Sequence, residues 1–110
     1  MKNIKVINIK GKAKGTYHYI GRGSVLGNPF VIGKDGTREE VIQLYKRHLW
    51  ESIKSHDGGV FREINLLALT YHNTDLTLGC FCYPKECHGD VIKACIIWAH
   101  RELTTKLSNA

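Results

Sequence analysis

The chain lacks any long hydrophobic run: no stretch approaches the roughly 20 apolar residues that a membrane-spanning helix needs. Its first 14 residues alternate lysine with isoleucine and valine, without the continuous apolar segment of a secretory signal. It has only two prolines, no internal repeat and no low-complexity tract. With 110 residues, 43% of them hydrophobic, we expect a single cytoplasmic domain over residues 1–110 with one core.

Acidic residues are also scarce. Ten Asp and Glu against sixteen Lys and Arg give a formal charge of +6. This balance favours anionic partners such as nucleotides or nucleic acid, although many small proteins are basic for solubility alone. Five lysines crowd the basic first strand and turn (residues 1–14), namely Lys2, Lys5, Lys10, Lys12 and Lys14. Nothing directs the four cysteines to an oxidising compartment, so we expect reduced thiols.

The hydrophobic pattern predicts three strands, over residues 4–9, 16–20 and 75–82, and three helices. The first helix begins at Thr37, since Thr37-Arg-Glu-Glu40 matches a capping box. We expect Gly58-Gly59 to break the chain before a second helix over 60–70, and a third helix over 88–107 with a frayed end at 108–110. The predicted core faces comprise Val41, Leu44, Tyr45, His48 and Leu49, with Ser52 or Ile53 as further candidates, and Val91, Ile92, Cys95, Ile96 and Ala99.

This order of elements predicts the α/β fold class: a single small domain whose short, mainly parallel sheet is packed by three helices. Parallel strands joined through helices make right-handed crossovers. Ligands of such sheets bind beyond the carboxyl ends of the strands. The glycine loop (residues 21–30) and the cysteine turn (residues 80–90) both follow predicted strands. We therefore expect them to meet in one crevice.

The glycine loop has residue types suited to a phosphate-bearing ligand. Its glycines permit close approach of backbone N–H groups to an anion, and Arg22 supplies a fork of donors. The spacing is neither the dinucleotide fingerprint nor a P-loop, so a tight turn with packing glycines is the alternative. The predicted ligand-binding residues are Gly21, Arg22, Gly23, Ser24, Gly27 and Asn28, together with Cys87 of the cysteine turn.

The cysteine turn admits three interpretations. Cys80, Cys82, Cys87 and His88 supply zinc ligand types, but adjacent Cys87 and His88 close a tetrahedron poorly. Alternatively, Cys87 is a reactive thiol near a helix start. In the interpretation we favour, the cysteines are buried apolar residues and no metal or other cofactor is required. His88 and Asp90 then line the pocket, and either can transfer a proton near neutral pH.

Two motifs carry a resemblance to a known family. The phrases Tyr-Ile-Gly-Arg-Gly-Ser-x-Leu-Gly-Asn-Pro-Phe and Leu-Gly-Cys-Phe-Cys-x-Pro-x-x-Cys-His-Gly-Asp occur together at residues 19–30 and 78–90. The chain thereby resembles a family of small uncharacterised bacterial and phage proteins, a domain of unknown function. One departure is Phe81, where members often have Trp. The resemblance covers residues 17–97 and implies that the two motifs belong together, but it implies no activity.

Three hypotheses for function follow. The first is a phosphate- and ribose-recognising enzyme that acts on a nucleotide or nucleic-acid component by N-glycosidic hydrolysis or transfer, with Asp90 or His88 as acid or base. The second is a non-catalytic nucleic-acid-binding module, stiffened by zinc in one version. The third is a phage or host accessory protein that binds another protein. None requires a membrane, and the sequence does not indicate an oligomeric state.

Overall fold

The computed structural model describes residues 3–9, 17–21, 24–56, 58–80 and 88–108. Residues 106–108 are described as backbone only. Three strands, β1 (Ile4–Asn8), β2 (His18–Tyr19) and β3 (Leu76–Cys80), combine with three helices, α1 (Arg38–Lys54), α2 (Gly58–Asn73) and α3 (His88–Ser108). The predicted α/β class and element order are confirmed. None of the helices in these ranges has both the length and the apolar character that crossing a membrane requires.

The sheet is parallel throughout, with β3 in the centre and the order β1-β3-β2. Ile4 pairs with Leu76 at one end of β1, and Asn8 pairs with Cys80 at the other. β2 pairs with the later part of β3, Tyr19 opposite Gly79. All three strands therefore end at the same edge, the carboxyl edge of the sheet, and the glycine loop leaves from there.

The core forms between the sheet and the helices. On β3, Leu76, Leu78 and Cys80 are all buried, and they belong to one cluster with residues of all three helices. On α3, four of the five predicted core residues are buried, and Val91 is half-buried against the cluster. The four are Ile92, Cys95, Ile96 and Ala99.

Two sequence predictions about the first two helices need correction. On α1, Leu44 is half-buried and His48 is exposed, whereas Ser52 and Ile53 are both buried, because the core stripe continues to the end of the helix. The pair Gly58-Gly59 does not separate the helices but forms the first turn of α2. Glycine is tolerated better near the start of a helix than in its interior.

The start of α1 is a complete capping box, as predicted. The Glu40 N–H donates to Thr37 Oγ1 at 3.3 Å, and the Thr37 N–H donates to Glu40 Oε1 at 3.0 Å. Both bonds satisfy backbone donors that the helix leaves unpaired. The cap therefore determines where α1 leaves the preceding loop.

We expect Thr37→Ala to destabilise the protein by about 1 kcal/mol, the usual cost of losing a threonine N-cap. Denaturant unfolding monitored by circular dichroism measures this change. The matched control is Thr70→Ala, an exposed threonine inside α2 whose hydroxyl donates to the Leu66 carbonyl. The control should be neutral or slightly stabilising, since alanine favours helix. Equal losses in the two variants would contradict this role of Thr37.

The same cap predicts a pH dependence. Hydrogen bonds from the Thr37 backbone and side chain hold the pKa of Glu40 below its ordinary value of 4.5. A lowered folded-state pKa stabilises the fold above the unfolded pKa, and this contribution is lost as pH falls through the folded value. The stability difference between wild type and Glu40→Gln should thus shrink below about pH 4.5. Urea unfolding at pH 7 and at acidic pH measures it, and a constant difference would contradict the assignment.

Candidate functional site

The glycine loop and the start of α3 meet at the carboxyl edge of the sheet. His88, the first residue of α3, is 7% exposed, and its Nε2 lies 2.5 Å from the carbonyl oxygen of Ile20. Because a carbonyl only accepts, this nitrogen carries the hydrogen. Ile20 directly follows β2 and is itself fully buried. The bond ties the base of the glycine loop to the helix that follows the cysteine turn.

Tyr45 of α1 contacts both the glycine loop and the start of α3. Its ring packs edge to face against His88, with centroids 5.0 Å apart. Its hydroxyl donates to the Leu26 carbonyl at 2.7 Å inside the glycine loop. Burial raises the pKa of Tyr45, and the nearby Cys95 thiol raises it further. The hydroxyl therefore keeps its proton and acts as a donor. The sequence placed Tyr45 only on a core face, because periodicity reports burial and not the partner of a polar tip.

The glycine loop is folded on its own backbone. Both the N–H and the hydroxyl of Ser24 donate to the Gly21 carbonyl, at 3.1 and 2.6 Å. The Gly27 N–H donates to the Ser24 carbonyl at 3.0 Å. These donors serve the loop itself. Arg22 and Gly23, the other predicted ligand-binding residues here, lie outside the described residues.

Asn28 closes the next turn. Its side-chain Oδ1 accepts the N–H of Phe30 at 2.9 Å, and the residue is half-buried. An asparagine bonded to a backbone N–H two residues on is a common way to fix a turn. This contact uses the carbonyl of the amide that we predicted to orient a sugar or base. The oxygen keeps a second lone pair beside the NH₂ group, so this turn is compatible with that predicted role.

Two glycines of the loop are required for close packing, not for a left-handed backbone. A Cβ on Gly27 would lie 2.5 Å from the Gly21 carbonyl oxygen, a backbone atom. A Cβ on Gly21 would lie 2.6 Å from Cε1 of the Tyr19 ring. The loop is thus a compact element whose position depends on the absence of side chains.

Asp90, unlike His88, faces a groove between α3 and α1. It is exposed in the first turn of α3, and the groove has a volume of about 760 Å³. The groove has an acidic lining with one guanidinium, and its lining does not include Ser24, Gly27 or Asn28. The charged residues that line it are Asp35, Glu39, Glu40, Arg47 and Asp90. His88 connects Asp90 to the glycine loop through the backbone of α3.

The cysteines are described in part. Cys80 and Cys95 are buried, and neither is in a disulfide. Burial raises the pKa of Cys95 to about 12, so it is an unreactive core thiol, as predicted. Cys82 and Cys87 lie outside the described residues. Of the four predicted zinc ligands, Cys80 is therefore in the core and His88 Nε2 is bonded to a carbonyl. The metal-free interpretation that we favour stays a prediction, and zinc stays its alternative.

Fold and site together define a small α/β domain with a candidate ligand site at the carboxyl edge of a parallel sheet. The chain belongs to the family of a domain of unknown function, DUF4326, whose model matches residues 7–98. The predicted resemblance to a family of unknown function is thereby confirmed. The matched range contains the glycine loop, the cysteine turn and the start of α3.

A curated relative comes from Enterobacteria phage T4. The chain is 42% identical over 74 residues to an uncharacterised 12.4 kDa protein in the nrdA-td intergenic region of that phage. The similar segment covers 66% of this chain and 60% of the phage protein, so the chain spans under two thirds of its relative. No solved structure matches this chain.

We expect Gly27→Ala to destabilise the protein by about 1–3 kcal/mol, because the added methyl group overpacks a site bounded by backbone. Gly58→Ala is the matched control: a Cβ there meets no atom within 4 Å. The control should stabilise by about 0.4–1 kcal/mol through the unfolded state. Thermal unfolding of both variants measures the contrast, and a tolerated Gly27→Ala would contradict the compact-loop description.

Tyr45→Phe should cost about 1–3 kcal/mol, since the buried Leu26 carbonyl loses its donor. Amide hydrogen exchange in residues 24–27 should also become faster, because the loop loses its anchor to α1. The control is Tyr17→Phe, since Tyr17 is 38% exposed. Unchanged exchange in the loop of Tyr45→Phe would show that the hydroxyl does not hold it.

Proposed function

We propose that this domain binds a nucleotide or another phosphate- and ribose-bearing ligand at the carboxyl edge of its sheet. We further propose that it acts on the N-glycosidic bond of that ligand, by hydrolysis or transfer. The observation that carries the proposal is the His88–Ile20 bond, which joins the glycine loop to the start of α3 at the edge where parallel sheets bind ligands. The proposal places the protein in the reducing cytoplasm, where Cys80 and Cys95 stay as thiols.

The phosphate position is argued from the start of α3. This helix runs over 21 residues, and its first turn faces the glycine loop through His88. The positive end of a helix dipole favours a phosphate. The N–H groups of Ser24 and Gly27 are used within the loop, so we assign the anion to the helix start and to the guanidinium of Arg22.

The sugar position is argued from the groove beside Asp90. Four carboxylates and one arginine line it, which disfavours a phosphate inside the groove. Carboxylates accept hydrogen bonds from hydroxyl groups, so ribose suits this lining. Asp90 would transfer the proton or stabilise positive charge that develops on the sugar. His88 is buried and bonded to the backbone, and so we propose that it positions Asp90 and the loop.

Thermal shift of the reduced protein tests the binding step. The ligands are inorganic phosphate, AMP, ADP-ribose, NAD and short oligonucleotides. A ligand at 100 times its Kd adds about 2.7 kcal/mol of stability, which shifts the Tm of a small domain by several degrees. We expect the ribose phosphates to stabilise more than phosphate alone. Failure of every nucleotide to shift the Tm would refute the proposal.

The catalytic step is tested with Asp90→Asn and the nucleotide that stabilises most. Release of free base should fall by about 100-fold or more, the usual range for loss of an acid or base. Binding should persist, because the Asp90 carboxylate is assigned to the reaction and not to the phosphate. Glu102→Gln is the matched control, an exposed carboxylate on the same helix. Equal activity in wild type and Asp90→Asn would remove Asp90 from the mechanism.

A non-catalytic nucleic-acid-binding module is the second candidate. The +6 charge favours it, and so does Tyr17, whose ring is 38% exposed. An exposed aromatic ring can stack on a base. This candidate predicts oligonucleotide affinity that falls steeply with salt, by a slope near 0.9 per phosphate contact on a logarithmic scale for duplex DNA. Stabilisation by oligonucleotides alone, without base release, would favour it over the enzyme.

A further inference from the structure

Two histidines meet at the end of the molecule opposite the candidate site. His72 lies in the last turn of α2, just before the amino end of β3. His100 lies 12 residues into α3, about 18 Å along the helix from its start. His72 Nδ1 and His100 Nε2 are 3.1 Å apart. His72 is exposed and His100 is half-buried, so solvent reaches the pair.

The histidine pair lies one helical turn beyond buried core residues of both helices. His72 follows Ala68 by four residues, and His100 follows Ile96 by four, so the pair continues the packed stripe of each helix by one turn. Ala68 and Ile96 are both buried in the same core cluster. The ring of Tyr71 packs edge to face against His100, with centroids 5.0 Å apart. The two imidazoles therefore lie side by side on helices that are packed against each other in the core.

We propose that His72 and His100 form a two-histidine site for a divalent transition-metal ion that bridges α2 and α3. Bonds of about 2.0–2.1 Å from two imidazole nitrogens to one ion place the nitrogens about 3.3–3.4 Å apart in a tetrahedron and about 2.9 Å apart at a right angle. The observed 3.1 Å lies between these values. Small rotations of the side chains therefore suffice to seat an ion.

The donor set indicates the class of ion. Imidazole nitrogen suits Zn²⁺, Ni²⁺ and Cu²⁺, whereas Ca²⁺ and Mg²⁺ require oxygen ligands. In the neutral pair one nitrogen donates its hydrogen to the other. A metal ion needs a lone pair on both of these nitrogens. The donating ring therefore moves its proton to its other nitrogen, and no net proton is released. Across the described ranges no three His, Cys, Asp or Glu residues form a group suited to a metal, so water completes the coordination.

The site is tested with Ni²⁺ and Zn²⁺ on the full chain. Paramagnetic Ni²⁺ should broaden the amide NMR signals around residues 72 and 100 in the wild-type protein. With Zn²⁺ near 100 times its Kd, the Tm should rise on the order of 10 °C, because the ion binds only when the two helices are packed. In His72→Gln and in His100→Gln, the broadening around residues 72 and 100 should disappear. The rise in Tm that this site contributes should disappear with it.

His56→Gln is the matched control, an exposed histidine away from the pair that should leave both effects intact. The NMR readout locates the ion, so metal binding by the cysteine turn gives broadening around residue 88 and does not imitate the result. Broadening confined to residue 88, or broadening at 72 and 100 that survives both substitutions, would overturn the proposal. This test uses metal ions alone and is independent of the proposed nucleotide site.

Discussion

The hydrogen bond from His88 to the Ile20 carbonyl is the contact on which the carboxyl edge of the sheet depends. It joins residues 68 positions apart and is buried. A buried carbonyl or imidazole left without its partner costs about 1–3 kcal/mol, so this contact strongly favours one arrangement. The same ring packs against Tyr45, and Tyr45 bonds Leu26. Loop, α1 and α3 are therefore held relative to one another by two hydrogen bonds and one ring contact.

This arrangement explains why the loop is compact without regular secondary structure. Its glycines let two segments of the loop backbone approach each other, as Gly27 approaches the Gly21 carbonyl. Its polar groups then bond each other, as Ser24 does with Gly21. A loop anchored in this way would lose little further conformational freedom on binding the ligand that we propose, which is an advantage for affinity. The same bonds reduce the number of donors that remain for the ligand.

Periodicity and capping predicted the fold well, because both are local. Thr37 and Glu40 are three residues apart, and their reciprocal bonds are visible in the sequence. The hydrophobic pattern of residues 75–82 likewise predicted a strand, and β3 lies within that range. The pairing of His88 with Ile20 is different, since no local pattern states which distant carbonyl a histidine will reach. Residue type alone suggested an acid or base there, and the contact with Ile20 supports the positioning role that we propose for His88 in addition.

The central place of β3 was likewise beyond the sequence. Both β1 and β2 pair with β3, although β3 is the last of the three strands in the sequence. The rules for parallel connections restrict handedness but leave several strand orders open. With β3 in the centre, the helix that follows it starts beside the loop that follows β2. The meeting of the two motifs is therefore a consequence of strand order, which hydrophobic patterns do not encode.

Charge gives the candidate site a direction. The chain is basic overall, yet the groove beside Asp90 is lined by four carboxylates and one arginine. A ligand that is anionic along its whole length would meet repulsion in that groove. A ligand with a phosphate at one end and hydroxyl groups at the other would place each end in a favourable environment. This separation of charge is the reason that we propose a nucleotide, and not a long polyanion, as the ligand of the carboxyl edge.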